Sequence, residues 1–146
     1  MTPKHKNAWV SILKVTAVLN QKMDSKLRTA GEISIDYYDV LLALEDAPNG
    51  KMTMSELSSS VLVSPSGVTR LIDRMAKEGY VNRQSNAKDR RSKFACITTL
   101  GLDARKSAWP ILKLSMEELW VAHMTEAEAA TILDIMKRMV SPKEYE

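Results

Sequence analysis

A mainly α-helical protein carrying one small β element is the fold class this sequence predicts, and three observations predict it. Apolar residues recur at helical spacing through most of the 146 residues, Gly occurs five times and Phe once, and period-two alternation is confined to the stretch after Gly79. A many-stranded barrel or sandwich would need turn signals roughly every 8 to 12 residues, which this chain lacks. With 45% hydrophobic and 27% charged residues, the chain reads as a single domain, 1–146, that can bury a core without disulfide or metal. Its lone cysteine, Cys96, excludes an internal disulfide framework and a Cys-rich zinc site, and fits a reducing, cytoplasmic setting.

The elements follow in order. Lys4 and Lys6 ahead of Ala8 to Leu19 imitate a secretion signal, but Ser11, Lys14 and Thr16 interrupt the apolar stretch. Trp9, Ile12, Leu13, Leu19, Met23 and Leu27 recur at helical spacing, so the segment predicts an amphipathic helix. No run approaches the roughly 20 apolar residues that would span a membrane. Ala30-Gly31 supplies a stop, and Ser34 caps a second helix with Ile35, Tyr38, Val40, Leu41 and Leu42, ending near Asp46. Ala47-Pro48-Asn49-Gly50 is a turn by its chemistry. Thr53-Met54-Ser55-Glu56 matches a capping box and opens a short third helix to about Val61.

After the break Leu62-Val63-Ser64, Ser64 caps a fourth helix whose first position is Pro65. Its Val68, Leu71, Ile72 and Met75 fall at i, i+3, i+4 and i+7, so one face must be buried, and Gly79 closes it. Two helices joined by three residues make a helix-turn-helix, here without the usual turn glycine. Next, Val81, Arg83 and Ser85 alternate with Asn82 and Gln84, and Ala95 and Ile97 with Phe94 and Cys96, which predicts a two-stranded hairpin and a partly exposed Cys96. Its tip, 86–92, is polar and basic. Thr98 or Thr99 caps a long fifth helix carrying Leu102, Ile111, Leu112, Met116, Leu119 and Trp120, with Pro110 placed to kink it. Thr125-Glu126-Ala127-Glu128 is a second capping box, opening a last helix with Ile132, Leu133, Ile135, Met136, Met139 and Val140 that Pro142 ends.

The net charge of +3 hides an asymmetry: residues 64–93 hold eight basic and three acidic side chains, whereas the final 32 residues hold three basic and seven acidic. Such a basic segment is the footprint of a surface that meets phosphates, or else a solvated charged face. An enzyme reading finds little: His5 and His123 lie far apart without metal-ligand spacing, and there is no Gly-rich phosphate loop, no nucleophile elbow and no base partner for Cys96. The sequence therefore predicts no catalytic residue, no metal and no cofactor.

The specific stretches are Ser55-Glu56-Leu57, then Ser64-Pro65-Ser66-Gly67-Val68-Thr69-Arg70-Leu71-Ile72-Asp73-Arg74-Met75 followed by Glu78-Gly79-Tyr80-Val81, and Asp89-Arg90-Arg91 leading to Ile97-Thr98-Thr99-Leu100-Gly101. In these motifs and their order the chain resembles, over nearly its whole length, the MarR family of winged-helix transcription regulators. The resemblance implies a winged helix-turn-helix lobe, about 34–98, flanked by N- and C-terminal dimerisation helices, about 5–30 and 99–140. It also implies a ligand-responsive repressor that binds a pseudo-palindromic double-stranded DNA operator as a homodimer. The recognition helix, about 65–78, would enter the major groove and the wing, about 86–92, the minor groove. Met23, Met116, Met124, Met136 and Met139 would fit the dimer surface, or equally a core.

Within that frame, Ser64, Ser66, Thr69 and Arg70 sit near the start of the recognition helix, where side chains face base edges, and Arg70 suits bidentate reading of a guanine. Arg74 and Lys77, a turn or more later, suit backbone phosphates. Arg91 matches the family arginine that enters the minor groove, with Arg90 beside it and Asp89 bracing the loop. Asp73 and Arg83 are placed to pair, and Lys51, Ser55 and Lys88 are weaker phosphate candidates. The resemblance further implies a small aromatic or phenolic anion as effector, with Trp9, Ile12, Leu13, Tyr37, Tyr38 and Trp109 as candidate walls and Lys14 or Arg28 for its charge. The alternative is a helical protein-interaction module whose degenerate wing no longer binds DNA.

Overall fold

The structure, a computed structural model, describes residues 1–61, 65–85 and 93–140, except for the side chains of Pro65 and Ser66. The first helix, α1 (Pro3–Thr29), starts at a capping box in which Thr2 Oγ1 accepts from the His5 N–H. Of its residues only Leu27 is fully buried, and residues 1–18 are exposed throughout. Gly31, at φ 77°, turns the chain into α2 (Ile35–Asp46), where Ser34 Oγ accepts from the Tyr37 N–H as predicted. The Pro48–Gly50 turn places Asn49 and Gly50 at φ 60° and 64°, the left-handed region that Asn and Gly tolerate best.

The chain then forms β1 (Lys51–Thr53), α3 (Met54–Ser60) and α4 (Pro65–Lys77). Both predicted capping boxes are present: Thr53 and Glu56 open α3, and Thr125 and Glu128 open the last helix. Strands β2 (Val81–Ser85) and β3 (Lys93–Ile97) pair antiparallel in the register Val81↔Ile97 to Ser85↔Lys93. Next come α5 (Thr99–Leu119), a single 3-10 turn (Val121–His123) and α6 (Glu126–Met139). No described helix is long and apolar enough to cross a membrane.

Three expectations are corrected. The predicted hairpin of β2 and β3 forms but is joined by a third strand: β1 pairs with β3 in the order β1-β3-β2, with Lys51 opposite Cys96 and Thr53 opposite Phe94. That makes β3 the central strand, so Cys96 is buried at 9% exposure instead of partly open, and burial pushes its thiol pKa up. Trp120 does not continue α5; it caps the helix with φ −126° and ψ −63°. The predicted terminator of α6, Pro142, and its predicted last apolar turn lie at the edge of the description: the helix ends at Met139, and 141–146 are outside the described residues.

The core is built where these elements converge. Leu27 of α1, Tyr38, Leu41 and Leu44 of α2, Leu57 of α3, Val68, Ile72 and Met75 of α4, Val81 and Ala95 of the sheet, and Ala108 and Leu112 of α5 form one buried cluster. Thr98 ties the end of α4 to the start of α5: its Oγ1 donates to Gly79 O at 2.7 Å and accepts from the Gly101 N–H at 3.1 Å. Ion pairs Glu45 with Arg105 and Lys26 with Glu118 fasten α2 and α1 to α5, and Ser107 Oγ donates to Glu32 at 2.7 Å.

Candidate nucleic-acid interface

Helix α4 owes its orientation to its apolar stripe. Val68, Leu71, Ile72 and Met75 are each 2% exposed or less, so the rest of the helix must face outward. Thr69, Arg70, Asp73, Arg74 and Lys77 are accordingly exposed. Three cations on one helical face repel one another and attract phosphate, and Asp73 does not offset them because it is already paired. Arg83 of β2 reaches it at 2.8 Å, which is the predicted pair. This bridge joins the helix to the strand that leads toward the hairpin tip. Along that strand only Val81 is buried; Asn82, Arg83, Gln84 and Ser85 are exposed.

The wing residues Lys88, Asp89, Arg90 and Arg91 lie outside the described residues, as do Ser64 and the side chain of Ser66. At the foot of the hairpin, Lys93 is exposed and pairs in register with Ser85. Lys93, the last cation of the basic segment, was counted in its charge but not singled out as a contact residue, and the strand register sets it opposite Ser85. Ser55 is exposed near the start of α3. Lys51 is otherwise engaged: its Nζ sits 5.1 Å from the centroid of the Phe94 ring.

Of the candidate effector residues, the structure brings Tyr38 and Trp109 into ring contact. Tyr38 is 3% exposed and stacks on Trp109 at 6.4 Å between ring centroids, packing α2 against α5, while Trp109 itself is 42% exposed. Trp9 and Leu13 are 62% and 52% exposed on the first half of α1. Lys14 borders a separate groove with Val18 and Trp120, and Arg28 is paired with Asp24 at 2.6 Å. Tyr37 lines a cleft of about 720 Å³ shared with Arg74, Glu78, Tyr80 and Asp103. Its ring meets Tyr80 edge-on at 5.8 Å and its hydroxyl donates to Glu78 at 3.1 Å, burial and that carboxylate raising its pKa. Glu32, Glu78 and Asp103 outnumber Arg74 on this wall, which disfavours an anion. Among the described residues no group of three His, Cys, Asp or Glu could hold a metal.

A helix-turn-helix backed by a three-stranded sheet, with the second helix turned outward, defines a winged helix-turn-helix protein. Comparison with known proteins agrees. The MarR family model matches residues 32–92. The transcriptional repressor MprA of Escherichia coli K12 is 26% identical over 117 residues, 80% of this chain. The regulator PrsX of Escherichia coli is 27% identical over 109 residues, 75% of this chain. This chain spans 66% of the length of MprA and 65% of PrsX, just under two thirds of each. In structure it is similar to AbsC, a MarR family transcriptional regulator from Streptomyces coelicolor, with TM-score 0.84 and 24% identity over 95% of this chain and 93% of that one. It is also similar to Sco3205 from the same organism, solved in complex with DNA, with TM-score 0.86 and 22% identity over 95% and 87% of the two chains. Residues 32–92 thus match the MarR family model, and the fold is that of MarR family regulators of known structure.

Proposed function

We propose that this chain is a DNA-binding transcription regulator, not an enzyme, and that it works as a homodimer reading a pseudo-palindromic operator. The observation that carries the reading is the outward face of α4, where Arg70, Arg74 and Lys77 project beside Thr69 while the apolar stripe anchors the helix beneath them. In this reading the start of α4 faces base edges, its later turns and Lys93 meet phosphates, and the wing, 86–92, enters the minor groove through Arg91. Similarity to Sco3205, which was solved with DNA, supports the partner; the name of MprA supports repression as its sign.

Dimerisation is supported by what the terminal helices leave uncovered. Trp9, Leu13, Val15, Leu114, Leu133 and Met139 are exposed large apolar residues on α1, α5 and α6, more than an isolated chain of this size displays without a partner surface. The phenolic-anion effector is not carried forward, because the one cleft that Tyr37 lines is rich in carboxylates. The test is selection of bound duplexes from a random pool, followed by a salt titration on the selected site and on random duplex. A regulator yields an enriched two-fold motif and an affinity that falls steeply with salt; the interaction-module alternative yields neither enrichment nor affinity at low salt.

A further inference from the structure

A cavity of about 1000 Å³ opens on the flank of the winged lobe, with walls from α2, the Pro48–Gly50 turn, β1, α3 and Phe94 of β3. Leu42, Met52 and Phe94 make part of it apolar, and Asp39 and Asp46 place carboxylates on its α2 side. Asp46 is the last residue of α2, where the helix dipole deepens the negative potential. Asp39 is partly buried, yet among the described residues no hydrogen bond or ion pair reaches its carboxylate. Burial, with Asp36 one turn away, pushes its pKa up to about 6. The other charged groups on the wall are spoken for: Lys51 lies over the Phe94 ring, and the Glu56 carboxylate accepts from Thr53.

A half-buried carboxylate without a protein partner, beside a cavity wall that is apolar at Leu42, Met52 and Phe94, is placed to meet a cation. The shape calls for a small molecule with a hydrophobic body and a single positive charge. We propose that this cavity binds a lipophilic organic cation whose ammonium pairs with Asp39 and whose apolar body packs on Leu42, Met52 and Phe94. This inference goes beyond DNA recognition and stands without it, since every wall belongs to one chain and none to α4.

The experiment uses the full chain without DNA at pH 7.5 and three probes of one shape: 4-phenylbutylamine, 4-phenylbutanol and 4-phenylbutyrate. Calorimetric titration should rank the amine tightest and the carboxylate weakest. Phe94 is the only phenylalanine of the chain, so fluorophenylalanine labelling gives one fluorine resonance at the cavity, and the amine should shift it saturably with the calorimetric dissociation constant. Asp39→Asn should weaken the amine about tenfold, the scale of one close charge pair in a partly screened site, and leave the alcohol within about twofold. Equal or tighter binding of the carboxylate overturns the proposal, and so does heat without a shift at Phe94. A folded Asp39→Asn variant with undiminished amine affinity overturns it too. Should that variant fail to fold, the probe ranking and the fluorine shift on the parent chain decide.

Discussion

Gly101 offers the sharpest test of how the lobe is assembled, because two physical effects predict opposite signs there. It sits in the first turn of α5, and on helix propensity alone Gly101→Ala should stabilise the protein by about 1 kcal/mol. A Cβ at this position, however, would run into the Tyr80 carbonyl oxygen and come within 2.9 Å of Leu41 Cδ2 and 3.1 Å of Ile97 Cγ1. The obstacle is backbone and cannot swing aside, so the cost lies at the upper end for overpacking, about 3 kcal/mol. The difference is a net loss of about 2 kcal/mol. For a chain near 150 residues this is a fall in Tm of about 6 °C. The assay is thermal denaturation followed by far-ultraviolet circular dichroism, with both proteins at one concentration because association shifts the midpoint. A Tm equal to or above the parent's would refute the packing of α5 against the α4 exit.

Three other outcomes are expected. Arg70→Ala should relax base preference at one position in each half-site, whereas Arg74→Ala should weaken all duplexes alike; base-substitution profiles of the two variants that merely scale with the parent would refute this sorting. Asp39, raised from 3.8 to about 6 in the folded chain, binds more protons folded than unfolded between those values, so it costs stability as pH rises through that window. Asp39→Asn should therefore be stabilising by about 1 kcal/mol at pH 7.5, after discounting for solvent screening, and neutral at pH 4, as read from melts at the two pH values. Thr53→Ala, which removes the hydroxyl that accepts from the Glu56 N–H at 3.2 Å, should cost about 1 kcal/mol in denaturant unfolding at unchanged m-value.

The parts of the fold legible in the sequence are those decided over a few neighbouring residues. Thr53 with Glu56, Thr125 with Glu128, and Ser34 are caps whose donors and acceptors lie three residues apart, and all three formed. The buried stripe of α4 is likewise local, and it also exposed Arg70, Arg74 and Lys77 by exclusion. Strand β1 escaped because three residues, Lys51 to Thr53, are too few to show a period; they are a strand only because Phe94 to Cys96 lies alongside, more than 40 residues later. Cys96 was misjudged for the same reason, since an alternating pattern reports which face a residue takes and not that a third strand covers the edge. That Tyr38 and Trp109 stack on each other was not legible, because the contact spans two helices and depends on how α2 packs on α5.

The Thr98 junction has a mechanical consequence. Its hydroxyl holds Gly79 O at 2.7 Å and Tyr80 O at 3.0 Å while capping α5, so the exit of α4 and the entry of α5 share one pivot. Helix α4 has 13 residues, about 20 Å of rigid rod at 1.5 Å per residue, and its start, the end proposed to face DNA, is the end farthest from that pivot. A rotation of about 5° at Thr98 therefore sweeps the start of the helix through about 1.7 Å, half or more of a hydrogen-bond length. Tilts of α5 passed through that junction would act on the start of α4 with this leverage, opposed by the buried stripe of Val68, Leu71, Ile72 and Met75. The lever arm is built into the lobe by the placement of a single threonine.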